Sequence, residues 1–169
     1  MEPEGVRERF HGKLFRVEVE TWPGGRWEVV RHPGAAAVLP LTSDDEVILV
    51  RQFRRPIRRI LTEIPAGILD HPGEDAIACA GRELFEETGY RHERIDPLGG
   101  IYSSAGYADE YIHLFLATTR AEPEGEPERE IELLRKPFDE MVRAARAGRV
   151  HDAKTALALL LADARRASP

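Results

Sequence analysis

Cysteine is almost absent from this sequence, which limits the kinds of site that the chain can build. Cys79 is the single cysteine among 169 residues, so the chain cannot form an internal disulfide or a site with several thiolate ligands. We expect Cys79 to be a small buried apolar residue. The six histidines lack the spacing of metal ligands, and the motifs G-x-G-x-x-G, G-K-S/T, H-E-x-x-H and G-x-S-x-G do not occur.

Long hydrophobic runs and an excess of positive charge are missing as well. The longest apolar segments, such as LALLLA near the C-terminus, are far too short to cross a bilayer, and Met1 leads into EPEGVRERF rather than an apolar leader. A net charge of -6 argues against a nucleic-acid-binding face, which would need to be basic. We therefore expect a cytoplasmic protein of one structural domain that binds neither membrane nor nucleic acid.

Alternating apolar segments in the first third of the chain predict β-strands. LFRVEVETW and RWEVVRH are separated by a Pro-Gly-Gly turn, which predicts a hairpin. AAAVLPL and EVILVRQF flank a short polar turn and predict a second hairpin. Because Pro40 has no backbone N–H, we expect its strand to lie at a sheet edge or to carry a bulge.

The rest of the chain predicts helices inserted between strands and appended after them. One helix is expected to begin near Glu74 and Asp75 and to end at Gly89. Strands around LGGIYSS and EYIHLFLATT, a polar loop at EPEGEPERE, a helix from Pro137 to about Ala147 and a last helix over DAKTALALLLADARR follow. This order predicts an α+β fold, an α/β/α sandwich on a mixed sheet.

The inserted helix carries an acidic cluster, Glu83, Glu86 and Glu87, within GRELFEETGY. Helical periodicity places these glutamates nearly opposite the expected core stripe. That stripe consists of Ile77, Gly81, Leu84 and Thr88. An acidic face of this kind is often simply solvated, with the i,i+4 pairs Arg82–Glu86 and Glu87–Arg91 as partial compensation. The mutual repulsion of the carboxylates instead favours a site for Mg²⁺, a hard cation with oxygen ligands.

The spacing around this cluster resembles the Nudix box, G-x5-E-x7-R-E-U-x-E-E-x-G-U, where U is a bulky apolar residue. From Glu74 through the segment RELFEETGY, every fixed polar or glycine position matches, and Tyr90 is a loose fit at the last apolar position. Six residues rather than five separate Gly67 from Glu74. We interpret this as a one-residue insertion at positions 70–72, in the loop before the helix, which leaves the helical carboxylates in register.

The resemblance implies a Nudix fold with a catalytic loop-helix-loop motif and hydrolysis of a substituted nucleoside diphosphate with Mg²⁺ or Mn²⁺. It further implies that Glu83 and Glu87 are the principal metal ligands, that Glu86 assists them, and that the carbonyl of Ala66 is a backbone ligand. Arg82 would orient a glutamate. The number of metal ions is left open.

The resemblance leaves the general base open between Glu86 and Glu110, which lies in SSAGYADEY. Glu110 is otherwise an exposed acid at the end of a strand. Gly106 would give this loop the freedom to close over substrate. Glu74 and Glu63 are expected to be secondary participants.

Four segments, WEVVRHPGAAAVLP, ILVRQFRRP, TEIPAG and HDAKTALAL, together resemble the ADP-ribose pyrophosphatase branch of the family, over most of residues 10–162. The branch implies cleavage of ADP-ribose to AMP and ribose 5-phosphate by a homodimer whose N-terminal strands complete the partner's site. We accordingly expect residues 1–35 to form an additional antiparallel region used in dimerisation and adenine binding, and residues 36–169 to form the Nudix hydrolase domain.

The same resemblance gives Trp27 the role of stacking on adenine, Glu28 that of accepting from its exocyclic amine, and Arg54 that of binding phosphate or ribose. The alternatives are a strand packing residue for Trp27 and an exposed strand-end arginine for Arg54. Positions 104–106 read Ser-Ala-Gly, whereas many members of the branch have Ser-Pro-Gly. Ala105 therefore leaves other substrates open: another nucleotide sugar, a dinucleoside polyphosphate or an oxidised nucleotide. A non-catalytic ADP-ribose sensor is disfavoured because the motif glutamates are complete.

Overall fold

The computed structural model describes residues 1–167, which form two β-sheets and three helices. The N-terminal sheet contains β1 (Gly5–His11), β2 (Arg16–Trp22) and β3 (Gly25–Arg31). The larger sheet contains β4 (Ala35–Thr42), β5 (Glu46–Arg54), β6 (Arg59–Glu63), β7 (Ala66–Ile68), β8 (His92–Tyr102), β9 (Tyr111–Thr119) and β10 (Glu132–Pro137). The helices are α1 (Ala76–Thr88), α2 (Phe138–Arg146) and α3 (Ala153–Ala167). Over the described residues, no helix combines the length and the apolar character needed to cross a bilayer.

The N-terminal sheet confirms the first predicted hairpin and adds a strand to it. β2 and β3 pair antiparallel across the turn at Pro23 and Gly24, and β1 pairs antiparallel with the other edge of β2. Every residue of β1 is exposed. The strand therefore lacks the alternation between core and solvent from which a strand is recognised in a sequence.

The larger sheet is mixed, as expected. Its order is β10-β5-β4-β9-β8, with β6 beside β5 and β7 beside β4. β4 and β9 are parallel, and the other pairs are antiparallel.

The alternation of side chains along β4 divides the core into two layers, which confirms the α/β/α sandwich. One face, which includes Leu39, packs against α2 and α3, and the other, which includes Val38, packs against α1. The helices contribute Phe138, Val142, Ala158, Leu159 and Ala162 to the first layer and Cys79, Ala80 and Leu84 to the second. Cys79 is fully buried, as predicted.

Of the two alternatives expected for Pro40, an edge strand or a bulge, the edge strand was wrong, because β4 pairs with β9 on one side and with β7 and β5 on the other. On this second side the pairing is interrupted between Ala37 and Leu41. The N–H of Val38 points to this side, where it donates to the carbonyl of Pro65 at 3.0 Å. Pro40, two residues later, faces the same side. The interruption in the ladder accommodates its missing N–H inside a central strand.

α1 begins and ends where the sequence indicates. The side chain of Asp75 accepts a hydrogen bond from the N–H of Ala78 at 2.8 Å and caps the first turn. Gly89 ends the helix with a φ of 75°, and its N–H donates to the carbonyl of Phe85 at 2.8 Å.

The expected division of α1 into a core face and an acidic face was partly wrong. Leu84 is buried as expected, but Ile77 is exposed and Glu87 is buried. The helix is oriented so that Glu87 faces β7 rather than solvent. Instead of pairing with Glu87, Arg91 lies 3.5 Å from Glu124.

Gly89 also anchors the long acidic loop that precedes β10. Its carbonyl accepts hydrogen bonds from the N–H groups of Glu124 at 2.9 Å and Gly125 at 3.1 Å. A Cβ at position 89 would lie 2.1 Å from the carbonyl oxygen of Gly125. Position 89 therefore requires glycine for its positive φ and for this close approach.

Gly89→Ala should destabilise the protein by more than the roughly 1–2 kcal/mol expected for a left-handed residue, because the backbone of the acidic loop must also move. Gly148→Ala is the matched control, since Gly148 has a φ of 68° but open space around its Cβ position. Urea unfolding of both variants measures the difference. Equal losses of stability would contradict the close approach at Gly89.

Candidate active site

The site is built where β7 meets α1. A Cβ at Gly67 would lie 1.9 Å from Oε1 of Glu83, so the absence of a side chain allows this carboxylate to reach the strand. The N–H of Ala66 donates to Oε2 of Glu87 at 3.2 Å. Both contacts depend on the alignment of α1 with β7. The loop at positions 69–75, which holds the extra residue, joins these two elements.

Arg82 connects the glutamates of the motif. Its Nε and Nη2 donate to the two carboxylate oxygens of Glu74, both at 2.9 Å. Its Nη1 donates to Glu83 at 2.6 Å and to Glu86 at 3.0 Å. The bidentate pair with Glu74 fixes the plane of the guanidinium, which in turn orients Glu83.

The carboxylates of Glu83 and Glu87 lie where negative charge is disfavoured. Glu87 is only 7% exposed. The pKa of Glu87 is raised to about 7, mainly by burial; the charge of Glu83 adds to the rise, and the Ala66 N–H and the charge of Arg54 partly offset it. Burial also raises the pKa of Glu83, against the opposing effect of Arg82.

Arg54 and Glu63 form a tight ion pair beside these carboxylates. Nε and Nη2 of Arg54 donate to the two oxygens of Glu63 at 2.6 and 2.7 Å. Glu63 also accepts from Nζ of Lys154. Burial alone would raise the pKa of Glu63, but the hydrogen bonds from Arg54 and Lys154 outweigh it and lower that pKa. Arg54, expected to bind phosphate or ribose, is thus engaged with a buried glutamate through two of its nitrogens.

A small cavity of about 170 Å³ joins Glu87 to the acidic loop before β10. Glu128 and Glu130 of that loop line it together with Arg55. The remaining residues around the cavity are Gln52, Phe53 and Ile131. The sequence indicated only a polar, proline-rich loop here. The pairing of β10 with β5 brings the loop to Glu87, and no local sequence pattern predicts that contact.

A larger cavity of about 470 Å³ lies between the N-terminal hairpin and the loop before β9. It brings together Trp27, Glu28 and Gly106, which the sequence assigned to substrate binding, and adds Trp22 and Arg31. Trp27 is 48% exposed, so its ring is not a core residue. The alternative role of Trp27 as a strand packing residue accounts poorly for this exposure.

The loop before β9 docks on β3. The N–H of Val30 donates to the carbonyl of Tyr107 at 2.7 Å, and the N–H of Asp109 donates to the carbonyl of Val30 at 3.1 Å. The carboxylate of Asp109 accepts from the N–H of His32 at 2.8 Å. Glu110, one of the two expected bases, lies 3.6 Å from Nδ1 of His32. Hydrogen bonds thus join the two segments that enclose the larger cavity, the N-terminal hairpin and the loop.

Comparison with known proteins identifies the family. The NUDIX domain profile matches residues 30–160, which contain β7, the Arg82 network and both carboxylates. The chain belongs to the Nudix hydrolase family. Over 159 residues it is 38% identical to the ADP-ribose pyrophosphatase of Bacillus subtilis (strain 168), with 89% of this chain and 85% of that protein aligned.

Two further similarities bear on this Nudix chain. It is 38% identical over 151 residues to the GDP-mannose pyrophosphatase of Cronobacter sakazakii (strain ATCC BAA-894), with 78% of each chain aligned. Its fold matches the crystal structure of an ADP compounds hydrolase with a TM-score of 0.79, covering 97% of this chain and 92% of that one. At 23% sequence identity, this last match shows the Nudix fold alone.

The donor set on the Nudix helix fits a divalent cation in part. Glu83 and Glu87 supply hard oxygen ligands, and the net effect of their surroundings disfavours their negative charge even with Arg82 and Arg54 nearby. The side chain of Glu86 is 54% exposed and stays on the Arg82 side of the helix. Within residues 1–167, no three side chains of the metal-binding types converge into a ready-made cation site. Two carboxylates therefore form the core of the candidate site, with positions left for backbone or substrate oxygens.

Glu87→Gln should make the cation-free protein more stable at alkaline pH, while abolishing cation-dependent stabilisation. The folded-state pKa near 7 lies above the ordinary value of 4.5, so stability present at low pH is lost as the pH rises from 4.5 through 7. The gain from Gln should therefore reach up to about 3 kcal/mol at pH 8 and be much smaller at pH 5. Urea unfolding in the presence of a chelator measures it.

Glu86→Gln is the control for this experiment, because it removes an exposed carboxylate from the same helix. Its stability should differ from that of the parent protein by less than about 1 kcal/mol at either pH. A Glu87→Gln variant less stable than the parent protein at pH 8 without cations would contradict the destabilising burial of the ionised Glu87 carboxylate.

Proposed function

We propose that this Nudix enzyme hydrolyses the diphosphate bond of ADP-ribose, giving AMP and ribose 5-phosphate. The observation that carries the proposal is the pairing of two neighbouring carboxylates on the motif helix, the half-buried Glu83 and the buried Glu87. The cavity lined by Trp27 and Glu28 supports a purine nucleotide. The identity to a protein named ADP-ribose pyrophosphatase, over most of both chains, supports ADP-ribose in particular.

Glu83 and Glu87 would hold the divalent cation, Mg²⁺ or Mn²⁺, with Glu86 and the carbonyl of Ala66 as further candidate ligands. When bound, such a cation neutralises diphosphate charge and lowers the pKa of an attacking water. Arg82 keeps Glu83 in place and compensates part of its charge, as Glu74 does for Arg82. The burial of Glu87 keeps its carboxylate away from competing water, which strengthens its interaction with positive charge.

The proton from the attacking water needs an acceptor near Glu87. Glu128 and Glu130 face the same small cavity as Glu87, whereas Glu110 faces His32. We therefore assign the acceptor to Glu128 or Glu130, ahead of the two residues that the sequence indicated, Glu86 and Glu110. Arg55, which also lines the cavity, is suited to attract the phosphate groups.

The larger cavity is assigned to the adenosine moiety. Trp27 offers an exposed aromatic face for stacking, and Glu28 offers an acceptor for the exocyclic amine. Gly106 lies in the loop that closes one side of the cavity, and a side chain there would meet open space. Arg54 lies beside Glu87, and the guanidinium nitrogen that is not bonded to Glu63 would bind a phosphate group of the substrate.

The N-terminal sheet is assigned to dimerisation. β1 exposes Val6 and Phe10, and the turn between β1 and β2 exposes Leu14 and Phe15; a partner would cover these apolar side chains. A homodimer joined through residues 1–35 would place these side chains at the interface. Sedimentation at the mass of a single 19.0 kDa chain at micromolar concentration would contradict this assignment.

Purified protein with Mg²⁺ should hydrolyse ADP-ribose with a kcat/KM at least about tenfold above that for GDP-mannose, a difference of about 1.4 kcal/mol in transition-state binding. The products AMP and ribose 5-phosphate can be separated by chromatography. Trp27→Ala should reduce kcat/KM for ADP-ribose because the ring no longer stacks. GDP-mannose hydrolysed as fast as ADP-ribose would contradict the choice of substrate and favour the nucleotide-sugar activity named for the Cronobacter relative.

Replacing the acceptor by glutamine should lower kcat by about 10²- to 10⁴-fold with little change in KM. We expect this loss for Glu128→Gln or Glu130→Gln, and a much smaller one for Glu110→Gln. Glu126→Gln is the matched control, because Glu126 belongs to the same acidic loop but does not line the cavity. A large loss for Glu110→Gln alone would return the role to the loop before β9.

A further inference from the structure

A buried lysine at the start of α3 contacts the site indirectly. Of the three lysines in the chain, Lys154 is 8% exposed, whereas Lys13 and Lys136 lie at the surface. Nζ of Lys154 donates to Oε2 of Glu63 and to Oδ1 of Asp152, the latter at 3.0 Å. A buried ammonium is tolerated when it is paired and hydrogen-bonded, and Lys154 meets both conditions.

The charged groups around Lys154 balance one another. Glu63 is 1% exposed. Both of its carboxylate oxygens accept hydrogen bonds from Arg54, and one of them also accepts from Lys154. Asp152 supplies the second negative charge. Two positive and two negative groups therefore balance within a few ångströms. Removing one of them would leave an uncompensated buried charge.

The first turn of α3 also holds the backbone next to Glu63. Asp152 accepts from the N–H of Thr155 at 3.0 Å and from its hydroxyl at 2.5 Å. The Thr155 oxygen in turn accepts from the N–H of Ile64 at 2.8 Å. The start of α3 thus holds the side chain of Glu63 and the backbone of Ile64.

This anchored segment leads directly to the catalytic carboxylate. Pro65 follows Ile64, and its carbonyl is bonded to the N–H of Val38 in the central strand. The next residue, Ala66, donates its N–H to Glu87. Four consecutive residues, 63–66, therefore join the start of α3 to the Nudix helix, and each has a defined partner.

We propose that Lys154 and Asp152 are positioning residues that act through Glu63 to hold the Ala66 N–H and the Arg54 guanidinium beside Glu87. This assignment rests on the proposed metal-dependent hydrolysis. Neither residue touches the reacting groups. Their effect is on the direction in which the Glu87 carboxylate points, and hence on cation affinity and kcat rather than on nucleotide binding at the larger cavity.

The test uses Lys154→Met, Lys154→Arg and Asp152→Asn in the full chain, with Lys136→Met as the control. Mn²⁺ binding is measured by calorimetry without substrate, kcat and KM are measured with ADP-ribose, and stability is measured by urea unfolding. In folded Lys154→Met, the Mn²⁺ affinity and kcat should each be about 10- to 100-fold lower. This is the range found when residues that support metal ligands are replaced. KM should change less than kcat, because only the phosphate end at Arg54 is disturbed and the adenosine cavity is untouched.

Lys154→Arg keeps the charge and should restore part of both losses, and Lys136→Met should change none of the three measurements. Normal Mn²⁺ affinity and normal kcat in folded Lys154→Met, even with reduced stability, would overturn the proposal and leave the network a purely structural link. Should Lys154→Met fail to fold, the same two measurements on Asp152→Asn and Lys154→Arg decide. If the parent protein does not hydrolyse ADP-ribose, the proposed substrate is wrong, and the Mn²⁺ affinities alone decide the role of Lys154.

Discussion

The burial of the Glu87 carboxylate is the constraint on which the rest of the site depends. α1 turns this glutamate toward β7, where the Ala66 N–H is its hydrogen-bond donor and Glu83 adds a second negative charge. An arrangement of this kind costs folding free energy unless positive charge arrives from outside. The core layer that contains Leu84 supplies the packing that keeps α1 in this orientation. Apolar contacts therefore hold the site together, and the proposed cation would complete it electrostatically.

Three groups of contacts stabilise this orientation of α1 from different directions. Asp75 and Gly89 define its ends, Arg82 connects its glutamates, and Gly67 allows β7 to approach Glu83. Glu63, linked to α3, fixes the strand segment that leads to Ala66. Elements far apart in the sequence thus converge on one strand and one helix, and this convergence gives the two carboxylates a defined geometry.

The sequence predicted the parts of the molecule that depend on local chemistry. The hairpin at Pro23, the cap at Asp75 and the stop at Gly89 follow from turn and capping preferences, and the layers follow from the alternation of apolar residues. The burial of Glu87 and the central position of Pro40 were not predictable, because each depends on which strand lies alongside. Long-range pairing likewise brings Glu128 and Glu130 to the cavity, and it joins Lys154 to Glu63 across 91 positions of sequence.

The central claim is that Glu83 and Glu87 together hold a hard divalent cation against a diphosphate. Anomalous diffraction from crystals soaked with Mn²⁺ and a non-hydrolysable ADP-ribose analogue tests it most directly. The account predicts a manganese peak about 2.1–2.3 Å from carboxylate oxygens of both glutamates, with a phosphate oxygen of the analogue among the remaining ligands. A bound analogue with no manganese between these two side chains would contradict it.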